Sequence, residues 1–221
     1  CAPQRHMETK DMTMIKFPTK KNYPKSSFYS EYINKLNSCL NGMNLKTITL
    51  ISDVLKKKIL EKKNIFVCGN GGSASVANHF LCDFNKGIKL SSKKKLTPKI
   101  ISLSNSVELI TAIGNDIGYE KIFSSQLENY ASKSDCIMFF SCSGTSKNIL
   151  DTIKLAKKIG LTIILITGFN KKKFNRIKLH LDLNCKNYGI AEDIFSSLMH
   201  MISQKIRFNS LGKKVRKNAI L

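Results

Sequence analysis

The sequence contains no apolar run approaching the roughly 18 to 20 residues that a membrane-spanning helix needs, and no apolar leader near its start. The expectation is a soluble, cytoplasmic protein without a membrane partner. Acidic residues are scarce, with 15 Asp+Glu against 37 Lys+Arg and a formal net charge of +22. Such an excess ordinarily points to nucleic acid or an anionic membrane surface. Its makeup argues otherwise: it is mostly lysine in short runs (residues 56–58, 93–95 and 171–173), with little arginine and no interleaved aromatics. The lysines read as solvated faces, and nucleic acid is not an expected partner. The seven cysteines include no Cys-x-x-Cys pair and mostly sit in apolar runs, which fits buried free thiols in a reducing compartment. Of only four prolines, three fall in residues 1–26, a polar, lysine-rich stretch read as a flexible or appended tail.

What remains is one core-sized domain over residues 27–208, followed by a basic tail at 209–221. Phe28, Ile33, Leu36 and Leu40 recur at helical spacing until Asn41-Gly42 stops them, and a second helix is expected over 45–62. Its stripe of Leu45, Ile48, Ile51, Leu55 and Ile59 is wider than a lone helical pair uses, so it faces the core or another subunit. Beyond it, apolar runs at 65–68, 99–103, 136–141, 162–167 and 179–183 alternate with helical segments at 74–85, 107–113, 122–132, 146–159 and 190–207. Gly114 and Gly160 read as stops. The fold class is α/β, a three-layer αβα sandwich around a five-stranded parallel sheet with an N-terminal helical pair.

The first chemistry-bearing stretch is NIFVCGNGGSASVANHFLCDFNKG at 64–87. A strand runs into Gly69-Asn70-Gly71-Gly72, a turn that permits unusual backbone angles and close ligand approach. Ser73 suits the cap of the following helix, which places His79 and Asp83 four residues apart on one face. They are within reach of one ion, or of each other as a plain hydrogen-bonded pair. The turn nominally fits a dinucleotide fingerprint, but the next strand ends in Ser104-Asn105-Ser106 and lacks the acid that would hold a ribose. The second stretch, Ser141-Cys142-Ser143-Gly144-Thr145-Ser146, also joins a strand to a helix start. Backbone N–H groups, the positive helix end and four hydroxyls there suit a phosphate monoester. It lacks the Gly-Lys-Ser/Thr of a Walker loop.

Together GNGGSA…H…D and SCSGTS, on alternating strands, resemble the sugar isomerase (SIS) domain and, within it, the phosphoheptose isomerases. The resemblance runs from about residue 28 to 207 and includes Gly114-Asn115-Asp116 and the closing AEDIFSSLMH helix. It implies a flavodoxin-like fold, a homotetramer with active sites between chains, and conversion of sedoheptulose 7-phosphate to D-glycero-D-manno-heptose 7-phosphate for surface lipopolysaccharide or capsule. It implies a Zn²⁺ held by His79, Asp83, Glu192 and His200, with Asp83 and His200 as the proton-transfer pair. Ser73, Ser141, Ser143, Thr145 and Ser146 would hold the phosphate beside Gly71 and Gly72, with Cys142 giving chiefly its backbone. Asn70, Asn105, Asn115, Asp116 and Glu192 complete the expected substrate contacts.

Three departures from the family pattern stand out. Asp83 is one methylene shorter than the family's Glu, Glu192 replaces an amide, and Phe195 occupies the place of a frequent third His. Glu192 and His200 lie eight residues apart, a rise of about 12 Å on a helix. They share an ion only across a bent helix start or between subunits. The competing class is a non-catalytic SIS module, a phosphosugar-binding or replication-initiator-associating adaptor. Retention of the metal and acid–base set favours the enzyme. His6 and His180 are given no role.

Overall fold

The computed structural model describes residues 14–169, 174 and 177–211. Residues 1–13 of the expected first tail, the lysine run at 171–173 and residues 212–221 of the basic tail lie outside the described residues. Strand β1 (Ile15–Lys16) leads to the helical pair α1 (Ser27–Asn41) and α2 (Leu45–Leu60). Asn44 caps α2 by accepting the Thr47 N–H at 3.0 Å. Strand β2 (Asn64–Gly69) enters α3 (Gly72–Cys82), which continues through a π-helical turn (Asp83–Ile88) into the short α4 (Lys89–Ser91). Then come β3 (Lys99–Ser102), α5 (Val107–Asp116), a 3₁₀ turn (Tyr119–Lys121), α6 (Ser124–Tyr130), β4 (Cys136–Ser141) and α7 (Lys147–Ile159). The chain finishes with β5 (Thr162–Thr167), β6 (Leu179–Asp182), β7 (Cys185–Lys186) and α8 (Tyr188–Ser210).

The main sheet has five strands in the order β3-β2-β4-β5-β6, all parallel, as the alternating pattern predicts. Side chains alternate between its faces. Ile65, Val67, Met138, Phe140 and Ile166 pack with α2, α3 and α8 in one core. Phe66, Cys68, Ile137, Phe139 and Leu165 pack with α6 and α7 in the other. The central strand β4 is therefore buried at every position, which is why it reads as an unbroken hydrophobic run up to Ser141. Because β2 pairs with β4 in the register Gly69↔Phe140, the two turns that follow these strands emerge side by side.

The structure corrects several expectations. Residues 14–26 are not simply a tail: Ile15–Lys16 pairs in parallel with Cys185–Lys186, and Phe17 is buried with its ring 4.9 Å from Phe28 and 5.4 Å from Tyr32. Two-residue strands carry too little pattern to be seen in a sequence. Gly114 lies inside α5, which runs on to Asp116; just beyond it Gly118 takes φ +140° and its N–H reaches the Ile113 carbonyl. The expected helix at 122–132 is the shorter α6, with a 3₁₀ turn just ahead of it. On α2, Ile51, Leu55 and Ile59 enter the core, whereas Leu45 is 70% exposed.

Phe17→Ala removes an aromatic side chain from this core. The expected cost is about 3 kcal/mol of stability, read as a lower urea midpoint. An unchanged midpoint would return residues 14–26 to the status of a tail.

Candidate active site

The β2–α3 turn needs its glycines for two separate reasons. Gly71 takes φ +55°, where a side chain is strained. At Gly72, an added Cβ would lie 2.2 Å from a Glu192 carboxylate oxygen, so α8 comes directly against the turn. Gly71, and not Ser73, precedes the first residue of α3. Ser73 is buried and donates its hydroxyl to Glu192 Oε1 at 3.3 Å, a role its position in the sequence does not reveal.

In the neighbouring loop, Ser141 Oγ accepts the Gly144 N–H at 3.2 Å. Ser143 Oγ accepts from the Thr145 N–H at 3.3 Å and the Thr145 hydroxyl at 3.1 Å. With these oxygens acting as acceptors, the hydroxyl protons of Ser141 and Ser143 remain for a ligand. Between the two turns lies a cavity of about 350 Å³, lined by Asn70, Gly71, Gly72, Ser73, Ser141, Cys142, Ser143, Ser146 and Glu192, with Phe140 and Tyr188. Burial pushes the Cys142 thiol up to about 12, so it stays neutral there. Thr145 buttresses Ser143 from outside the cavity lining. Asn105, Asn115 and Asp116 are exposed and do not line it, and Asn115 donates to its neighbour Asp116 at 2.8 Å. Tyr188, at the start of α8, is a lining residue that sequence reasoning missed.

A second cluster lies further along the same pair of helices. His79 is in the last turn of α3, Asp83 opens the π-helical turn and His200 is on α8. Asp83 Oδ1 is 3.5 Å from His79 Nε2, and Asp83 Oδ2 is 3.8 Å from His200 Nε2. The imidazole centroids are 5.0 Å apart. The Ser203 hydroxyl lies 3.1 Å from the His200 carbonyl and 3.4 Å from Asp83 Oδ2, its one proton placed between the two acceptors. A π-helical turn widens the helix locally and is frequent at functional positions; here it begins at the carboxylate that faces both imidazoles. The short aspartate reaches both rings.

One ligand atom from each of these residues lies within 4.8 Å of the others, and the side chains are 49%, 23% and 42% exposed. Two imidazoles and a carboxylate around an open side fit a divalent metal with a free position. Glu192 does not belong to this group within one chain. It precedes His200 by eight residues, about 12 Å of rise, on an unbroken 23-residue helix, and its carboxylate is held at Ser73. Ser73 and His79 are likewise separated by about 9 Å of rise on α3. The cavity and the cluster are therefore two stations on one α3–α8 seam.

The model of the SIS domain matches residues 29–168. The phosphoheptose isomerase of Campylobacter concisus is 37% identical over 179 residues, covering 80% of this chain and 88% of the relative. The chain belongs to the SIS domain family, among the phosphoheptose isomerases. A probable phosphoheptose isomerase of Thermoplasma acidophilum is 33% identical, covering 75% of this chain and 90% of the relative. A solved phosphoheptose isomerase from Francisella tularensis shares the fold with a TM-score of 0.72, at 21% identity, covering 82% of this chain and 95% of that one. The SIS match takes in both turns, His79 and Asp83 and stops before α8, so Glu192 and His200 lie outside it. Among the described residues no helix is long and apolar enough to cross a membrane.

A Zn²⁺ titration separates the three-residue ligand set from the four-residue one. His79→Ala should weaken binding by about 100-fold or more, while Glu192→Gln stays within about threefold of the unmodified protein. Equal losses in the two variants would bring Glu192 back to the metal.

Proposed function

We propose that the protein is an aldose–ketose isomerase that converts sedoheptulose 7-phosphate to D-glycero-D-manno-heptose 7-phosphate. The observation that carries this reading is the shared α3–α8 seam: an anion cavity rich in hydroxyls lies one helical segment from a His–Asp–His cluster. The similarity to proteins named phosphoheptose isomerase supports the choice of sugar.

Isomerisation requires that a proton leave the carbon beside a carbonyl and return to its neighbour. In our reading Ser141, Ser143 and Ser146 hold the phosphate, and the length of the seam lets the far end of a seven-carbon chain reach the cluster. His200 takes the proton, and Asp83, facing its Nε2, orients the imidazole and shares the proton transfer. Ser203, whose hydroxyl lies between the His200 carbonyl and Asp83 Oδ2, flanks the carboxylate. Zn²⁺ held by His79, Asp83 and His200 would polarise the sugar oxygens when bound. We place the working enzyme as a tetramer, with the exposed apolar residues Ile33, Leu45 and Leu50 of α1 and α2 covered between subunits.

Proton NMR of the protein with sedoheptulose 7-phosphate in D₂O should show aldose formation with deuterium entering at the substrate carbon. His200→Gln should fold, bind the phosphosugar and lose turnover and deuterium incorporation together, by about 10² to 10⁴. Near-normal turnover in that variant would remove His200 from proton transfer. Absence of turnover in the unmodified protein, with phosphosugar still bound, would indicate a binding module instead.

A further inference from the structure

Asn70 projects into the anion cavity from the first turn. Its carboxamide is not free to choose how it meets a ligand. Asn148, in the first turn of α7 and only 1% exposed, forms a reciprocal amide pair with it. Asn70 Nδ2 donates to Asn148 Oδ1 at 3.0 Å, and Asn148 Nδ2 donates to Asn70 Oδ1 at 2.9 Å. The orientation of the pair is set by the main chain, because Asn148 Oδ1 also accepts the Ile149 N–H at 2.9 Å. That N–H belongs to a helix start, where backbone donors lack intrahelical partners, and it cannot reverse its polarity. With its oxygen pinned there, Asn148 must offer its amino group to Asn70, which leaves Asn70 Oδ1 facing a donor.

A third group completes the arrangement. Tyr119 donates its hydroxyl to the same Asn70 Oδ1 at 3.2 Å. Its 3₁₀ turn and the start of α6 are tied to α7, since Lys121 Nζ lies 2.9 Å from Asp151 Oδ1 and Ser124 Oγ donates to Asp151 Oδ2 at 2.6 Å. A carbonyl oxygen has two lone pairs, and those of both amides are now occupied. Asn70 has one polar valence left, the second N–H of its amino group.

We infer that Asn148 and Tyr119 are positioning residues that hold Asn70 as an obligate hydrogen-bond donor to a substrate oxygen, locking the two anion-binding turns together. The site thereby selects a lone-pair oxygen, of hydroxyl or phosphate, at that point and rejects a group that only donates. The sequence hides this because Asn148 reads as an ordinary helix residue just after the SCSGTS loop, and Tyr119, 59% exposed, reads as a surface aromatic. The inference rests on the isomerase reading for its substrate.

The test is steady-state kinetics on sedoheptulose 7-phosphate together with calorimetric binding of the same sugar, using thermal melts to show that each variant is folded. Removing a contact made equally in ground and transition states raises KM and leaves kcat alone, whereas a purely structural lesion lowers active enzyme and kcat. Asn148→Asp is nearly isosteric but has no donor for Asn70; KM and the dissociation constant should rise at least about tenfold, with kcat within about threefold. Tyr119→Phe, at an exposed position, should raise KM about threefold. In an Asn70→Asp background, where the amino group is lost, Tyr119→Phe should have no further effect. The inference is overturned if Asn148→Asp and Tyr119→Phe leave both constants unchanged, if they lower only kcat, or if Tyr119→Phe weakens binding equally in the Asn70→Asp background. If the unmodified protein binds the sugar without turning it over, the isomerase reading fails, and the calorimetric comparison decides the donor assignment.

Discussion

The parallel pairing of β2 with β4 is the constraint from which the functional geometry follows. Each strand is buried on both faces, so its side chains are apolar almost throughout and the polar turns follow at the carboxyl end. The register brings Gly69 opposite Phe140, and GNGG and SCSGTS consequently form the two walls of one cavity. In open parallel sheets ligands collect at the carboxyl ends of strands for this reason. The reciprocal pair of Asn70 and Asn148 closes the gap between the walls with buried hydrogen bonds, which stiffen a site only when every group is satisfied.

The α3–α8 seam then sets the length of whatever lies along it. Close approach of the two helices depends on Gly72, whose missing side chain leaves room for the Glu192 carboxylate. The same approach puts His79, Asp83 and His200 together farther along. Because α8 is continuous, one helix cannot deliver both Glu192 and His200 to a single ion in this arrangement; the carboxylate instead contacts Ser73 in the cavity. In the proposed phosphate site this carboxylate would weaken the local attraction for the anion. The hydroxyls of Ser141, Ser143 and Ser146 and the N-terminal end of α7 would be the counterweight.

Much of this was legible in the sequence where the pattern was long or chemically dense. The runs at 136–141 and 162–167 match β4 and β5 to the residue, since a strand buried on both faces is an uninterrupted apolar segment. The two turns that line one cavity and the close His79–Asp83 pair were equally readable. Features that depend on distant contacts were not: β1 and β7 exist through each other, Ser73 looked like a helix cap although Gly71 is the one, and Gly114 resembled a stop while α5 ran on to Asp116. Asn105, Asn115 and Asp116 fitted a motif yet sit on the surface away from the cavity lining. No local signal marks Asn148 or Tyr119, because their meaning comes from Asn70, many residues away.

The central claim is that one substrate spans the seam, with its phosphate in the cavity and its reacting carbons at the His–Asp–His cluster. A crystal structure with sedoheptulose 7-phosphate bound, using His200→Gln to hold the ketose unreacted, tests it most directly. The account predicts phosphate oxygens within hydrogen-bond distance of the Ser141, Ser143 and Ser146 hydroxyls and the carbonyl end of the sugar between His79, Asp83 and residue 200. A phosphate held outside the cavity, or a carbonyl end pointing to solvent away from Asp83, would contradict it.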